Sequence, residues 1–125
     1  MINESKAQYS CIANLKKDGP PIIIVAAVHE AEAIANVCKE NNIIISAICD
    51  SEKRKSEKPF FGIDVVHTPT LPKCYPKARF IIASQHVQEC IDQLQDLGYE
   101  EFYSPLELLK DYDVNKYQHR ESQSY

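Results

Sequence analysis

Short apolar runs rich in β-branched residues recur along this chain, separated by polar stretches and by segments with a helical period. Continuous runs of this kind are typical of strands that are covered on both faces of a sheet. They predict strands at 22–27, 43–49, 63–67, 80–83 and 102–103. The acidic Asp64 inside the third run indicates that this strand lies at an edge of the sheet.

Apolar residues three and four positions apart predict the helices. One helix follows the first strand and ends at Asn41, and another begins with Ser84 as its N-cap and is closed by Gly98. A third helix, at Glu4–Lys17, precedes the first strand. A capping box at Ser104–Glu107 predicts a short terminal helix.

Strands that alternate with helices at such short intervals predict a doubly wound, mostly parallel, Rossmann-like α/β sheet with helices on both faces. With the five predicted strands numbered along the chain, the expected order across the sheet is 3-2-1-4-5. The chain is divided into an N-terminal helix at 1–19, a Rossmann-like domain at 20–111 and a flexible tail at 112–125. A ligand is expected where the winding reverses, between the carboxyl ends of the first and fourth strands.

The charge and hydrophobicity of the chain argue against two classes of binding partner, nucleic acids and membranes. The 125 residues include 18 acidic and 14 basic side chains, for a net charge of -4, which argues against a surface that binds nucleic acid. No apolar run approaches the roughly 18 residues that span a bilayer, and the polar amino-terminal residues do not form a secretory signal. The sequence therefore predicts a cytoplasmic protein without a nucleic-acid or membrane partner.

The cysteines are odd in number and form no Cys-x-x-Cys pair, which fits neither a disulfide framework nor a zinc knuckle. Cys38 and Cys90 lie on the apolar faces of predicted helices, and Cys49 lies in a predicted strand. We interpret these residues as reduced thiols packed in the core, without a redox role.

The candidate ligand-binding residues all follow the ends of the first, second and fourth predicted strands. They are Ala26, Ala27, Val28, His29, Asp50, Ser84, Gln85 and His86. The turn after the first strand contains no glycine, so a Cβ atom stands wherever a dinucleotide phosphate would need to approach the backbone. Glu30 and Glu32 add carboxylates that repel an anion at the start of the following helix. We therefore predict no NAD or NADP cofactor.

Two histidines leave a catalytic alternative open. His29 and His86 follow neighbouring strands and, together with Asp50, can form a metal site or supply a general base. The competing interpretation is that both are solvent-facing residues near helix starts. Because Ser84 near His86 has no third, orienting acid, a nucleophile is not assigned, and the prediction names no catalytic or metal-binding residue. The charged loop 51–59 is interpreted as solvated, with phosphate binding as the less favoured alternative.

Several segments together resemble one group of proteins. They are residues 22–31, 48–50, 60–66 and 78–84. They resemble the Rossmann-like N-terminal domain of bacterial sugar-nucleotide N-acyltransferases of the left-handed β-helix type, and similar modules of polysaccharide-associated methyltransferases. The resemblance covers roughly Pro21 to Leu109. In the family a glycine-rich turn after the first strand lies against a UDP-sugar and an acidic residue that ends the second strand helps to hold it. Asp50 matches this acidic residue, whereas the glycine-free turn at Ala26–His29 does not match.

The resemblance leads to two hypotheses about function. The first is a nucleotide- or nucleotide-sugar-binding module of a carbohydrate-modifying protein that is not catalytic alone. The second is a ligand-free docking or dimerisation domain of a larger sugar-modifying or methyltransferase enzyme, with tyrosines of the terminal helix as the candidate docking surface. The hexapeptide repeats that carry acyl transfer in the family do not occur in this sequence. We therefore expect a homo-oligomer or a linked catalytic domain.

Overall fold

The computed structural model describes residues 8–106 and contains one six-stranded sheet in which every strand pair is parallel. The strands are β1 (Gln8–Cys11), β2 (Ile22–Val25), β3 (Ala47–Asp50), β4 (Val65–His67), β5 (Arg79–Ile82) and β6 (Glu101–Ser104). Their order across the sheet is β1-β6-β5-β2-β3-β4. The strand β4, which directly follows Asp64, is therefore an edge strand, as predicted.

Three α-helices cover the two faces of this sheet. They are α1 (His29–Glu40), α2 (Leu71–Cys74) and α3 (Val87–Asp96). The helix α1 packs on one face through Ala31 and Ile34, whereas Leu71 of α2 and Leu94 of α3 belong to the core on the other face. The predicted α/β class with helices on both faces is confirmed. Within residues 8–106, no helix is long and apolar enough to cross a membrane.

The amino-terminal part of the chain differs from the prediction. Where a helix was expected over Glu4–Lys17, the described residues form β1 and then a short 3-10 turn at Ile12–Asn14. The strand β1 pairs in parallel with β6, from Gln8 opposite Glu101 onward. This pairing covers an edge of the sheet whose backbone groups would otherwise be open to other chains. The predicted five-strand order is thus incomplete, because the sheet continues beyond β6.

The second predicted strand also begins later than expected. The helix α1 is followed by a left-handed residue, Asn42, with a φ of 60°, and the amide of Ile43 donates back to the carbonyl of Cys38 at 2.8 Å. This hydrogen bond belongs to a Schellman cap and ties Ile43 to the helix end. The strand β3 therefore starts only at Ala47, and the apolar residue Ile44 is left exposed.

Aromatic packing anchors the face covered by α3. The ring centroid of Phe80 lies 4.8 Å from that of Tyr99 and 5.9 Å from that of Phe102. Tyr99 and Phe102 are buried in the core of this face, and Tyr103 is buried in the core of the other face. The tyrosines at 112 and 117, the tail at 112–125 and nearly all of the predicted terminal helix lie outside the described residues.

The cysteines of the core have the properties that the sequence predicts. Cys38 and Cys49 are buried, and burial raises the pKa of each thiol to about 12. Burial also raises the pKa of Cys90. Since the thiolate is the reactive form, these side chains remain protonated near neutral pH and act as small apolar groups.

Replacing Gly98 with alanine is expected to lower the free energy of unfolding by about 1–2 kcal/mol, because φ is 102° there and a Cβ atom strains this conformation. Gly98 and Tyr99 close the end of α3 with hydrogen bonds to Gln95 and Leu94. Urea unfolding measures the loss. Gly98→Asn is the control and should lose less, since asparagine tolerates left-handed backbone; equal stability of Gly98→Ala and wild type would contradict this explanation.

Candidate functional site

The carboxyl ends of β2 and β5 border a crevice at the point where the winding of the sheet reverses. From β2 the chain continues into α1 on one face, and from β5 it continues into α3 on the other. The crevice contains a cavity of about 310 Å³. Four of the predicted residues line it, namely Ala26, Asp50, Ser84 and His86.

The other four predicted residues occupy different surroundings. Ala27 is buried and lines a second cavity of about 300 Å³ beside the charged loop. Val28 packs against the core below α1. His29 and Gln85 are exposed. The structure therefore divides the predicted ligand-binding set between the crevice, the core and the surface.

The turn after β2 has the backbone shape that glycine favours, although no glycine is present. Ala26 has a φ of 85°, and an alanine in the left-handed region is less stable by about 1–2 kcal/mol. Its amide donates to the carbonyl of Cys49 at 2.7 Å. The next amide, of Ala27, donates to Asp50 Oδ2 at 2.8 Å. These two hydrogen bonds from β2 to β3 hold the strained turn in place.

Asp50 therefore holds the backbone at the rim of the crevice. Its side chain is buried, with 8% of the residue exposed, and its Oδ1 atom accepts the amide of Glu52 at 2.8 Å. The sequence indicates a carboxylate that binds ligand hydroxyls. The structure shows that both oxygens accept backbone amides, although each oxygen retains a second acceptor position.

Lys55 is a residue of this site that the sequence interpretation missed. The 3-10 turn Lys53–Glu57 brings its Nζ atom to 3.1 Å from the carbonyl oxygen of Ala27 and to 3.8 Å from Asp50 Oδ2. The ammonium group thus contacts the turn after β2 and lies near the carboxylate that ends β3. A run of alternating charges contains no periodic signal that distinguishes this lysine from its solvated neighbours, so only the fold identifies it.

The segment after β5 is organised differently from the prediction. Ser84 does not cap α3, because the helix begins at Val87 and the residue at the N-cap position is His86. Instead, the Ser84 hydroxyl accepts the amide of His86 at 2.9 Å, which forms a turn two residues earlier. The His86 Nδ1 atom lies 3.2 Å from Glu89 Oε1, and both side chains are largely exposed.

The three residues of the catalytic alternative do not form a metal site. Among residues 8–106, no group of three or more histidine, cysteine or acidic side chains is arranged to hold a metal ion. Asp50 is bound to backbone amides, and His86 is next to Glu89. His67, on β4, lies with its Nε2 atom 3.2 Å from the carbonyl oxygen of Ser51.

The chemistry of the crevice is that of a site for hydroxyl groups. Asp50 and Glu89 supply carboxylate acceptors, and three hydroxyl side chains, Ser51, Thr68 and Ser84, can donate or accept. The buried Asp50 carboxylate makes the interior unfavourable for a phosphate. Positive charge is available beside the turn, where Lys55 Nζ lies 3.1 Å from the carbonyl oxygen of Ala27.

Comparison with known proteins gives no match: no protein-family model, no curated protein and no solved structure is significantly similar to this chain. The resemblance to the N-terminal domains of sugar-modifying proteins therefore stays a prediction. The geometry of the crevice is the basis for any statement about function.

Proposed function

We propose that this chain binds a nucleotide or nucleotide-sugar in the crevice between β2 and β5, without being catalytic alone. The observation that carries the proposal is the 310 Å³ cavity at the reversal point of the sheet, lined by acceptor and hydroxyl side chains. Crevices at this position are the usual ligand sites of doubly wound sheets. The volume lies at the lower end of the roughly 300–1,000 Å³ range of small-molecule sites.

The distribution of charge supports one orientation of such a ligand. Ribose or sugar hydroxyls match the acceptor positions of Asp50 inside the cavity and of Glu89 on its exposed side. The phosphates match the second cavity beside the charged loop, because three basic residues border it, Arg54, Lys55 and Lys58, against two acidic ones, Glu52 and Glu57. The Cβ atoms of the turn keep the phosphates from a close approach to its backbone.

Calorimetric titration with UDP-N-acetylglucosamine and with UMP tests the proposal. Ser51 directly follows β3 and lines the cavity, whereas Ser46 directly precedes β3 and does not line it. Tryptophan substitutions at these two positions therefore give a matched pair. We expect the wild type and Ser46→Trp to bind at least one probe and Ser51→Trp to lose that binding, because the larger side chain fills the crevice.

Thermal unfolding provides a second readout of the same binding. A ligand at a hundredfold excess over its Kd stabilises the folded chain by about 2.7 kcal/mol. The Ser51→Trp protein should unfold at the same temperature with and without the probe. Two results would count against the proposal: a wild type that binds neither probe at millimolar concentration, or a Ser51→Trp protein that binds as tightly as the wild type.

A separate observation favours the second candidate function, a docking or dimerisation domain. Ile44 and Phe61 are large apolar residues that the described part of the chain leaves 82% and 56% exposed. They line a different cavity, which has no lining residue in common with the crevice. The two functions do not exclude each other, since they use different surfaces.

A further inference from the structure

The second cavity, of about 300 Å³, adjoins the crevice along a shared wall. Ala26 lines the crevice and the next residue, Ala27, lines the second cavity. Ser51 and Glu52 are divided between the two cavities in the same way. Both pairs of consecutive residues directly follow a strand or lie one residue beyond it, at the carboxyl ends of β2 and β3. A single ligand that passes over this wall would therefore occupy both cavities.

The two cavities differ in their chemistry. Hydroxyl, carboxylate and amide side chains dominate the crevice, whereas Ala27, Pro59 and Phe60 give the second cavity an apolar surface. The remaining lining residues of the second cavity are charged, and the long ones cover apolar surface with their aliphatic stems while the charged groups stay in water. The base is the flat, aromatic part of a nucleotide, so it matches the second cavity better than the hydroxyl-lined crevice.

Phe60 is held rigidly at the edge of this cavity. Its amide donates to the carbonyl of Ile63 at 2.8 Å, and its carbonyl accepts the amide of Ile63 at 3.0 Å. The ring is partly buried against the core and meets the ring of Phe61 nearly at a right angle, with the centroids 4.5 Å apart. A side chain that is fixed before binding loses little conformational freedom when a ligand packs on it.

We propose that the second cavity binds the base of the nucleotide, stacked on the ring of Phe60, while the rest of the ligand crosses the wall into the crevice. This inference rests on the proposed function and assigns a separate subsite to one part of the ligand. Stacking on an aromatic side chain is available to every base, since every base has a π-face. Phe60 is therefore a binding residue for nucleotides that does not select one base.

Lys55 connects the two halves of this arrangement. Its Nζ atom lies 3.1 Å from the carbonyl oxygen of Ala27 and 3.8 Å from Asp50 Oδ2, so it stands at the wall between the cavities. The other N–H groups of the ammonium remain available to a phosphate that passes over the wall. A ligand bound in this way has its base and its hydroxyl-bearing group on opposite sides of the phosphate.

Calorimetric titration with UDP-N-acetylglucosamine tests the role of the ring. Phe60→Leu should raise the Kd about tenfold, because leucine keeps an apolar side chain but removes the flat surface on which the base stacks. Phe60→Tyr keeps the ring and should bind with nearly the wild-type Kd. Phe61→Leu is the matched control, since Phe61 is the neighbouring aromatic residue but does not line the second cavity, and it should leave the Kd unchanged.

Tryptophan fluorescence locates the base directly. The chain contains no tryptophan, so Phe60→Trp introduces a single fluorophore at the proposed subsite. UDP-N-acetylglucosamine should quench its emission, because the uracil ring stacks on the indole. N-acetylglucosamine 1-phosphate has no base and should not quench it. Phe61→Trp, with its fluorophore outside the second cavity, should respond little to either compound.

The results distinguish a failure of this subsite from a failure of the proposed function. A wild type that binds UDP-N-acetylglucosamine, with the binding lost in Ser51→Trp but unchanged in Phe60→Leu, would overturn the base subsite and leave the crevice as the binding site. Equal losses in Phe60→Leu and Phe61→Leu, or a Phe60→Trp protein whose emission is unchanged at saturation, would also overturn the subsite. A wild type that binds no probe would overturn both proposals. Circular dichroism of each variant shows whether it is folded.

Discussion

Replacing Arg79 with alanine is expected to lower the free energy of unfolding by about 3–5 kcal/mol, because it removes two charge-assisted hydrogen bonds made by a buried guanidinium group. Arg79 is the first residue of β5 and is only 3% exposed. Its Nε atom donates to the carbonyl of Pro20 at 2.9 Å, and Nη1 donates to that of Lys16. The side chain thus fixes the segment that joins β1 to β2.

The packing around the guanidinium group adds to the expected loss. Gly19 lies so close that a Cβ atom there would be 3.1 Å from Arg79 Cζ, so truncation of the arginine leaves a void under this segment. Urea denaturation measures the effect. Arg79→Lys keeps the charge but cannot reach both carbonyls as a planar fork, and we expect a smaller but clear loss.

A surface arginine provides the control for this experiment. Arg54 is 80% exposed and pairs with Glu52 at 2.8 Å, and exposed ion pairs contribute only about 0–1 kcal/mol. Arg54→Ala should therefore change stability little. If the free energy of unfolding of Arg79→Ala is within about 1 kcal/mol of the wild-type value, the guanidinium group does not hold the segment as described.

The central part of the fold could be predicted because local pattern and burial agree there. Ile22–Val25 are all buried, as a continuous apolar run between two neighbouring strands should be. Gly98 ends α3 because its conformation requires glycine. In such segments the backbone preference and the tertiary packing point to the same structure.

The prediction failed where tertiary contacts outweigh the local pattern. Ala7, Cys11, Ile12 and Leu15 have a helical spacing, but pairing with β6 makes residues 8–11 a strand. The helix cap at Ile43 delays β3 and exposes Ile44. Neither the partner strand nor the cap geometry can be read from periodicity alone, since both depend on residues elsewhere in the chain or on φ at one position.

The site shows the same division. Asp50 could be assigned to the crevice because a residue that ends a parallel strand lies at the carboxyl edge of the sheet. Its hydrogen bond to the amide of Ala27 could not, since that bond depends on the left-handed turn at Ala26. The absence of glycine from the turn argues against close phosphate contact. It does not indicate that Ala26 nevertheless adopts the backbone conformation that glycine favours.

Asp50→Ala is expected to lower the free energy of unfolding by about 2–4 kcal/mol, because a buried amide at Ala27 and a second amide at Glu52 lose a charged acceptor. Lys55 loses its neighbouring carboxylate as well. Asp50→Asn keeps one oxygen acceptor and should lose less. Asp64→Ala, an exposed aspartate next to the edge strand, should lose little. Urea unfolding of the three variants measures the difference, and equal losses for Asp50→Ala and Asp64→Ala would contradict the assigned role.

A double-mutant cycle of Asp50→Ala with Ala26→Gly distinguishes the loss of support for the turn from a general loss of packing. In the wild type, glycine removes the steric strain at φ 85°, so Ala26→Gly should be neutral or stabilising by up to about 1 kcal/mol. Without the Asp50 carboxylate the turn is no longer held in this conformation, and the same substitution should lose that benefit because glycine then only increases the freedom of the chain. A non-zero coupling energy is therefore the specific sign that Asp50 maintains the strained turn. Additive effects would mean that the aspartate stabilises the fold independently of Ala26, and the turn would then need another explanation for its shape.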